Sequence, residues 1–500
     1  MHFPLLRRAI VILAALISLS TPVFDSVLGH TVNNDLLTVA IQAGDVEKLR
    51  ELVRTRPYDF GCRPSAISTA KGDYILPALL TWHQYEELKK GDLCVDILVK
   101  GVPDDRAAKE TIGEGDRFDG GRLAPRGLGS RGKGEDNDLG GIMNVDEIDS
   151  AIKGLVEEYG IPTFSTPYKT SEGSGGVGGL IGAVNRSAYH VYFTAGVHAR
   201  ERGGPDNLIY FIADLLYAQK HGVGLTYGAR SFSNADVLRA LSTGIVFFPL
   251  VNPDGVRFDQ KTDSLWRKNR NTASAIPGDD LSIGIDINRN YDFLWDYRLH
   301  FDPSVINGIT LASDDPHVET FHGIRAFSEP ESRNVAWVFD EFPRIRWYVD
   351  IHSAVGDKLY SWGDDDNQAV DPKQTFRNAA WDGKRGILGR KDYKEWITET
   401  DLRNIQVAAN RTTSSMSSVG GRVYKPAQAV GLYATSGASD DYAFSRFQVD
   451  DRRNKVYGFT MEFGHPTNFY PTKAEFEQNV IDTSAGFMEF CLAAADIGLV

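Results

Sequence analysis

The chain has 500 residues, 42% of them hydrophobic, with a formal net charge of −13. It can bury a large core, and its length allows two or three domains at most. The acidic surplus speaks against a nucleic-acid partner, because phosphates call for clustered Lys and Arg.

Residues 1–29 read as a secretory signal. "MHFPLLRRAIVILAALISLSTPVF" sets Arg7 and Arg8 ahead of an apolar run from Ala9 to Leu19. That run has the roughly 7–15 residues of a signal's apolar segment and falls short of the ~20 that a spanning helix needs. The expectation is export, an extracellular location, and no stable membrane association after signal removal. Three cysteines occur, Cys62, Cys94 and Cys491, with no C-x-x-C pair, so a thiolate zinc site is not expected. A Cys62–Cys94 disulfide and three free thiols both remain open.

A small α+β module is expected over residues 30–111. "NDLLTVAIQAGDVEKLRELV" has helical periodicity, and "WHQYEELKKGDLCVDILVKG" reads as a helix followed by a short strand. His83 and Glu86 in the latter form an HxxE pair on what looks like a solvated helix face. Residues 112–141 are rich in Gly, Arg and Asp and lack apolar periodicity, so they read as a mobile linker. Their arginines would also suit a processing protease.

From residue 142 to the end the texture is that of one large domain. "NVDEIDSAIKGLVEEYG" is a helix with its cap near Asn144 or Asp146. Strand-like and helical segments then alternate, among them "SAYHVYFTAG", "GIVFFPLVN", "IRWYVDIHS" and "VYGFTMEFG". Such alternation implies an α/β sheet with helices on both faces. "GSGGVG" at 173–178 matches a dinucleotide fingerprint in letters only. It follows polar sequence and precedes a strand, whereas the fingerprint needs a strand before and a helix after. It reads as a hairpin loop.

The chemistry gathers at strand ends. "HVYFTAGVHARERGGPDN" places His198, Arg200 and Glu201 where a strand gives way to a helix, the place where α/β sheets build sites. "RIRWYVDIHSAVG" places His352 at the end of another strand. Two imidazoles and a carboxylate make a catalytic zinc ligand set that leaves a position open for water. "LWRKNR", "GIDINRNYD" and "FTMEFG" add Arg270, Asp286, Asn288, Arg289 and Glu462. A carboxylate within so apolar a strand is costly to bury unless paired or functional.

Taken in order, "GVHARE", "VNPDG", "LWRKNR", "GIDINRNYD", "DIHSAVGDKLYSWG", "LYATSGASDDYAF" and "FTMEFG" resemble the zinc metallocarboxypeptidases of the pancreatic A/B type. The resemblance covers about Asn144 to Phe476. It implies an α/β/α sandwich around a mixed, mainly eight-stranded twisted sheet, with one Zn2+ per catalytic domain. It also implies His198, Glu201 and His352 as metal ligands and Glu462 as general base, with Arg270 polarising the scissile carbonyl. Asn288 and Arg289 would hold the substrate's terminal carboxylate, Tyr433 would close over the site, and Arg200 would serve a subsite. Asp286 would accept the other ring N–H of His198. Asp440 would lie at the base of the side-chain pocket, which favours C-terminal Lys or Arg.

The implied protein is a secreted, monomeric enzyme acting on peptide and protein C-termini. Two other readings stand beside it: a catalytically silent binding protein of the same fold, and a zinc amidohydrolase for small acylated amino acids. Three features depart from the pattern. Arg202 and Ala354 replace common aromatics, and the interval from Tyr433 to Glu462 is long. Asp364–Asp366 reads as a solvated acidic loop rather than a calcium site, and His465 as structural. The front module is expected to be either an accessory unit or a pro-region released by cleavage within 112–141.

Overall fold

The computed structural model describes residues 36–499 apart from 57, 59, 61–66, 69–72, 101–108, 133–136, 307–310, 432–433 and 465–467. The signal segment, Cys62, Tyr433 and His465 lie outside the described residues.

The front module is an antiparallel sheet in the order β2-β3-β1-β4. Its strands are β1 (Leu36–Ala43), β2 (Ile67–Ser68), β3 (Tyr74–Thr81) and β4 (Cys94–Lys100), with helices α1 (Val46–Thr55) and α2 (Trp82–Leu88). The helical periodicity expected from Asn34 onward holds only for α1. Leu37, Val39 and Ile41 alternate into the core against Leu49, Leu52 and Val53, a period of two that makes the first half a strand. Asp45 then caps α1 through the Glu47 amide. His83 and Glu86 are exposed on α2.

The described residues 109–132 and 137–141 are packed against the body, which corrects the reading of that stretch as a mobile linker. Phe118, Leu128 and Leu139 are buried with Ile148, Ile209 and Val480. Arg117 pairs with the buried Glu147 at 2.8 Å, and Asp214 accepts the Gly129 and Ser130 amides at 2.9 and 3.0 Å. The anchors are spaced too widely to give a periodic signal. The polar residues between them form specific bonds instead of merely solvating a loop.

The body begins with α3 (Val145–Tyr159), capped by Asn144 with Glu147 reaching back in a capping box. Next come β5 (Thr163–Ser165), β6 (Val177–Ile181), β7 (Val191–Ala195), α4 (Gly204–His221) and a small hairpin, β8 (Leu225–Tyr227) with β9 (Arg230–Phe232). These are followed by α5 (Asn234–Leu241), β10 (Ile245–Phe248), α6 (Pro253–Thr262), the short α7 (Tyr297–His300) and α8 (Pro303–Ile306), and α9 (Pro330–Glu341). β11 (Trp347–Ser353) and β12 (Asp357–Tyr360) lead to a short pair, β13 (Asn367–Gln368) and β14 (Glu395–Trp396). The chain closes with α10 (Glu399–Gly420), β15 (Lys425–Gln428), α11 (Ser439–Val449), β16 (Tyr457–Phe463) and α12 (Lys473–Ile497). The "GSGGVG" stretch ends the hairpin connection from β5 and runs into β6, its antiparallel partner, with Val177 and Gly178 already in the strand.

The main sheet has eight strands in the order β15-β12-β16-β11-β7-β10-β6-β5. β16, β11, β7 and β10 run parallel at its centre, while β6 and β12 run antiparallel to their inner neighbours. Every residue of β7, β11 and β16 is buried, as central parallel strands require. Alternation sorts their side chains. Trp347 and Phe459 meet Phe490 of α12 on one face, with ring centroids at 5.9 and 5.3 Å. Tyr348 meets Phe339 of α9 on the other at 5.1 Å. That second face also carries Asp350, His352, Thr460 and Glu462.

Candidate active site

The site is built at the C-terminal ends of three neighbouring parallel strands. His198 lies just past β7, and His352 and Glu462 lie near the ends of β11 and β16. Positions 352 and 462 are register partners, so their side chains leave the same face of adjacent strands. A polar row continues behind them, with Asp350 in register with Thr194 on one side and Thr460 on the other. An apolar sheet that buries such a row must satisfy each member.

His198, Glu201 and His352 converge, with one donor atom from each lying within 4.8 Å of the others. The two Nδ1 atoms are 3.1 Å apart, and each faces a Glu201 carboxylate oxygen, at 2.8 Å from His198 and 2.9 Å from His352. Burial alone would raise the Glu201 carboxyl. The two histidines reverse this and hold it well below the usual range. Two nitrogens and a carboxylate with this spacing fit a zinc ion.

Each histidine is backed by an aspartate. His198 Nε2 lies 3.0 Å from Asp286, as expected from the sequence. His352 Nε2 lies 3.1 Å from Asp350, a partner the sequence reading missed. The available signal was the D-x-H spacing in β11, which puts both side chains on one face. Asp350 is itself fixed by hydroxyls donated from Thr194 and Ser439, both at 2.7 Å. Burial tends to raise Asp286, but Arg267 and His198 hold it well below the ordinary value.

The two arginines of "LWRKNR" go different ways, and this corrects the assignment of Arg270. Arg270 stacks on Phe258 and Trp266, at 3.8 and 4.6 Å from the ring centroids. Arg267 is buried and donates Nε and Nη2 to Asp286 Oδ2 at 3.1 and 2.8 Å. It is Arg267 that reaches the histidine cluster. Asp259 accepts the Trp266 amide at 2.9 Å and so turns the segment, which sends side chains three apart to different surroundings.

The remaining residues gather nearby. Asn288 and Arg289 sit in a buried 3-10 turn started by Asp286, which accepts the Asn288 amide at 3.0 Å. Asn288 Oδ1 accepts the Ser439 amide at 2.8 Å. Its Nδ2 is buried and has no partner among the described residues, a donor that calls for an acceptor. Arg200 is buried beside Phe469, 4.8 Å from its ring centroid, and 3.4 Å from Glu319. Arg202 is locked away from the site against Asp259 and Asp263, and stacks 3.6 Å from the Tyr470 centroid.

Asp440 opens α11 and accepts the Thr460 hydroxyl at 3.2 Å. The close approach of α11 to β16 depends on Gly458, where a Cβ would come within 2.1 Å of the Asp440 carbonyl. The adjacent Asp441 points elsewhere and takes the Gly363 amide. The neighbouring acidic run is not solvated. Asp364 and Asp365 are buried, which corrects the reading of a solvated acidic loop.

Residues 169–486 match the zinc carboxypeptidase family. The chain belongs to that family. Over 281 residues this zinc carboxypeptidase homologue is 24% identical to carboxypeptidase B of Astacus astacus, covering 56% of the chain and 71% of that protein. Over 172 residues it is 30% identical to the inactive metallocarboxypeptidase ECM14 of Ajellomyces capsulatus (strain H143), covering 33% of the chain and 24% of that protein. The chain spans between 34% and 71% of the length of three carboxypeptidase B relatives. The crystal structure of carboxypeptidase A from Helicoverpa armigera superposes with a TM-score of 0.61 at 18% identity, over 93% of this chain and 99% of that one. That likeness concerns the fold. No described helix is long and apolar enough to cross a membrane.

Proposed function

We propose that this chain is an exported zinc metallocarboxypeptidase that removes C-terminal residues, with a preference for Lys and Arg. The observation that carries the reading is the His198–Glu201–His352 convergence with Glu462 in register beside it. His198, Glu201 and His352 would hold Zn2+, which when bound acidifies water and polarises a carbonyl.

The chain's own groups account for the rest. Glu462 is the general base, taking a proton from the attacking water and delivering it to the leaving amine. Arg267, in place of Arg270, faces the developing oxyanion, where one such donor contributes about 10²–10³ in rate. Asn288 and Arg289 bind the terminal carboxylate, the guanidinium as a fork. This restricts cleavage to chain ends. Asp440 pairs with the cation of a C-terminal Lys or Arg, a contact that an apolar side chain cannot make. The role of Tyr433 as a closing residue stays a proposal from resemblance, as do secretion, the monomeric state and a regulatory role for the front module.

The test is a digest of two peptides that differ only in a C-terminal Arg or Phe, with zinc-loaded full-length protein and chelator controls, read by mass. Chelator-sensitive loss of Arg alone is expected. Loss of Phe alone would keep the exopeptidase and remove Asp440 as its specificity residue. The similarity to an inactive relative favours the silent-binder reading as the alternative, and no release of either residue would support it.

A further inference from the structure

Between β12 and α10 the chain leaves the sheet and folds into a loop package whose charge opposes that of the whole. Residues 372–394 carry seven Lys and Arg (373, 377, 384, 385, 390, 391, 394) against two Asp (382, 392), within a chain of net charge −13. The package is firmly held. Arg385 is buried under Tyr393 and bonded to Asp382 at 2.9 Å, Arg390 pairs with Asp302 and Asp392, and Lys394 lies 3.5 Å from Asp366. These pairs use both of its aspartates.

Four cations are left over. Lys373, Arg377, Lys384 and Lys391 are all exposed, and none forms an ion pair within 4.0 Å among the described residues. They are also neighbours. The Lys373 carbonyl accepts Asn378 Nδ2 at 2.8 Å and Trp381 Nε1 at 3.0 Å. The Lys384 amide donates to the Trp381 carbonyl at 3.2 Å, and the Lys384 carbonyl accepts Arg390 at 3.4 Å. The nearby acids outside the pairs are Asp371, which caps the turn by accepting the Lys373 amide, and the exposed Glu399 at the start of α10.

We propose that this loop package is a docking surface for a linear sulfated polysaccharide. Four unpaired cations on a rigid support raise the local potential despite the net charge. They line no buried niche for one small anion, so the fitting ligand is a chain whose repeated anions meet several at once. A nucleic acid would gain from base stacking, but Trp381 already packs against Tyr393, 5.4 Å between centroids. The surface is independent of the peptidase reading.

The experiment measures binding of the full-length protein to dextran sulfate, with neutral dextran and a single-stranded oligonucleotide as comparators at matched salt. Two variants are compared. One carries Lys373→Gln, Arg377→Gln, Lys384→Gln and Lys391→Gln. The other removes the same charge elsewhere, at the exposed Lys89, Lys90, Lys153 and Lys261. The loop variant should bind at least about tenfold more weakly, the scale of several exposed ion pairs, while the control binds as wild type does. Wild-type binding should weaken with salt, and the loop variant should unfold at the wild-type temperature. Equal weakening of both variants, no wild-type binding, or tighter binding of the oligonucleotide would each overturn the proposal.

Discussion

Glu201 and Glu395 are both carboxylates shut off from solvent, 4% and 0% exposed, yet they shift in opposite directions. Burial pushes each upward. Glu201 faces His198 and His352 and ends well below the ordinary range. Glu395 is pushed up to about 7, eased but not reversed by Tyr393 and Arg385. Its neighbour Asp364 is raised well above the usual value by burial and by Glu395 itself, and Asp365 rises to about 8. A buried carboxylate stays anionic only where cationic partners outweigh its desolvation. The first cluster sets one acid against two imidazoles, a donor set that fits a metal ion. The second sets acid beside acid, and its carboxyls hold their protons to higher pH.

The largest effect should come from the cluster that holds its charge. His198→Ala removes a donor and leaves Glu201 with one imidazole, so zinc content and peptide cleavage should both fall to the detection limit. His83→Ala, in the solvated HxxE pair on α2, should change neither. Zinc retention at wild-type level in the first variant would break the comparison.

Next come the two arginines. Arg267→Ala should lower kcat by about 10²–10³ with KM little changed, while Arg270→Ala should leave kcat nearly intact. The stacked Arg270 contributes instead about 0.5–2 kcal/mol of cation–π energy, visible as a lower Tm. Steady-state kinetics on one peptide separates the two, and equal losses in kcat would return the role to Arg270.

Asp350 stands behind His352, one of the three candidate ligands. Asp350→Asn preserves shape and can still accept from His352, but it lacks the charge. Zinc affinity, measured by chelator competition, should weaken about 10–100-fold. An unchanged affinity would reduce Asp350 to a packing residue.

How far the sequence shows this site depends on the distance over which each feature is encoded. The strand-end positions of His198, His352 and Glu462 were legible because each rests on an apolar run of a few residues next to a polar break. The central sheet was legible for the same reason. Arg267 and Arg270 were not separable, because a loop's turn decides which faces the cluster, and that turn is fixed by Asp259 on the preceding helix, α6. Asp350 was hidden by its strand, where one acid among Val349 and Ile351 reveals no partner until β7 and α11 supply hydroxyls. Residues 112–141 misled because three isolated apolar anchors leave no period, and Asp364–Asp366 because acidic letters read as solvated. The four free cations of the 372–394 loops were masked by a whole-chain charge that averages them away.

The smallest effect probes the second cluster through pH. Glu395 has a native value of about 7 against an ordinary value near 4.3. Below the unfolded value both states hold the proton, and the native state bears no penalty. As pH rises toward 7 the unfolded chain releases its proton while the native one keeps it, so stability falls; Asp365, at about 8, extends the decline. The group's share is of the order of 1–3 kcal/mol between pH 4 and 8. Glu395→Gln does not titrate; it keeps one of the two acceptor oxygens that take the Tyr393 hydroxyl and the Phe376 amide, so a constant loss at every pH is expected beside the change in slope. Urea unfolding at pH 5, 6, 7 and 8 should therefore show a shallower loss of stability in the variant, with the two curves settling to that constant offset toward low pH. Parallel curves would mean that Glu395 is ionised throughout, as Glu201 is, and that cations rather than a shared proton hold the second cluster together.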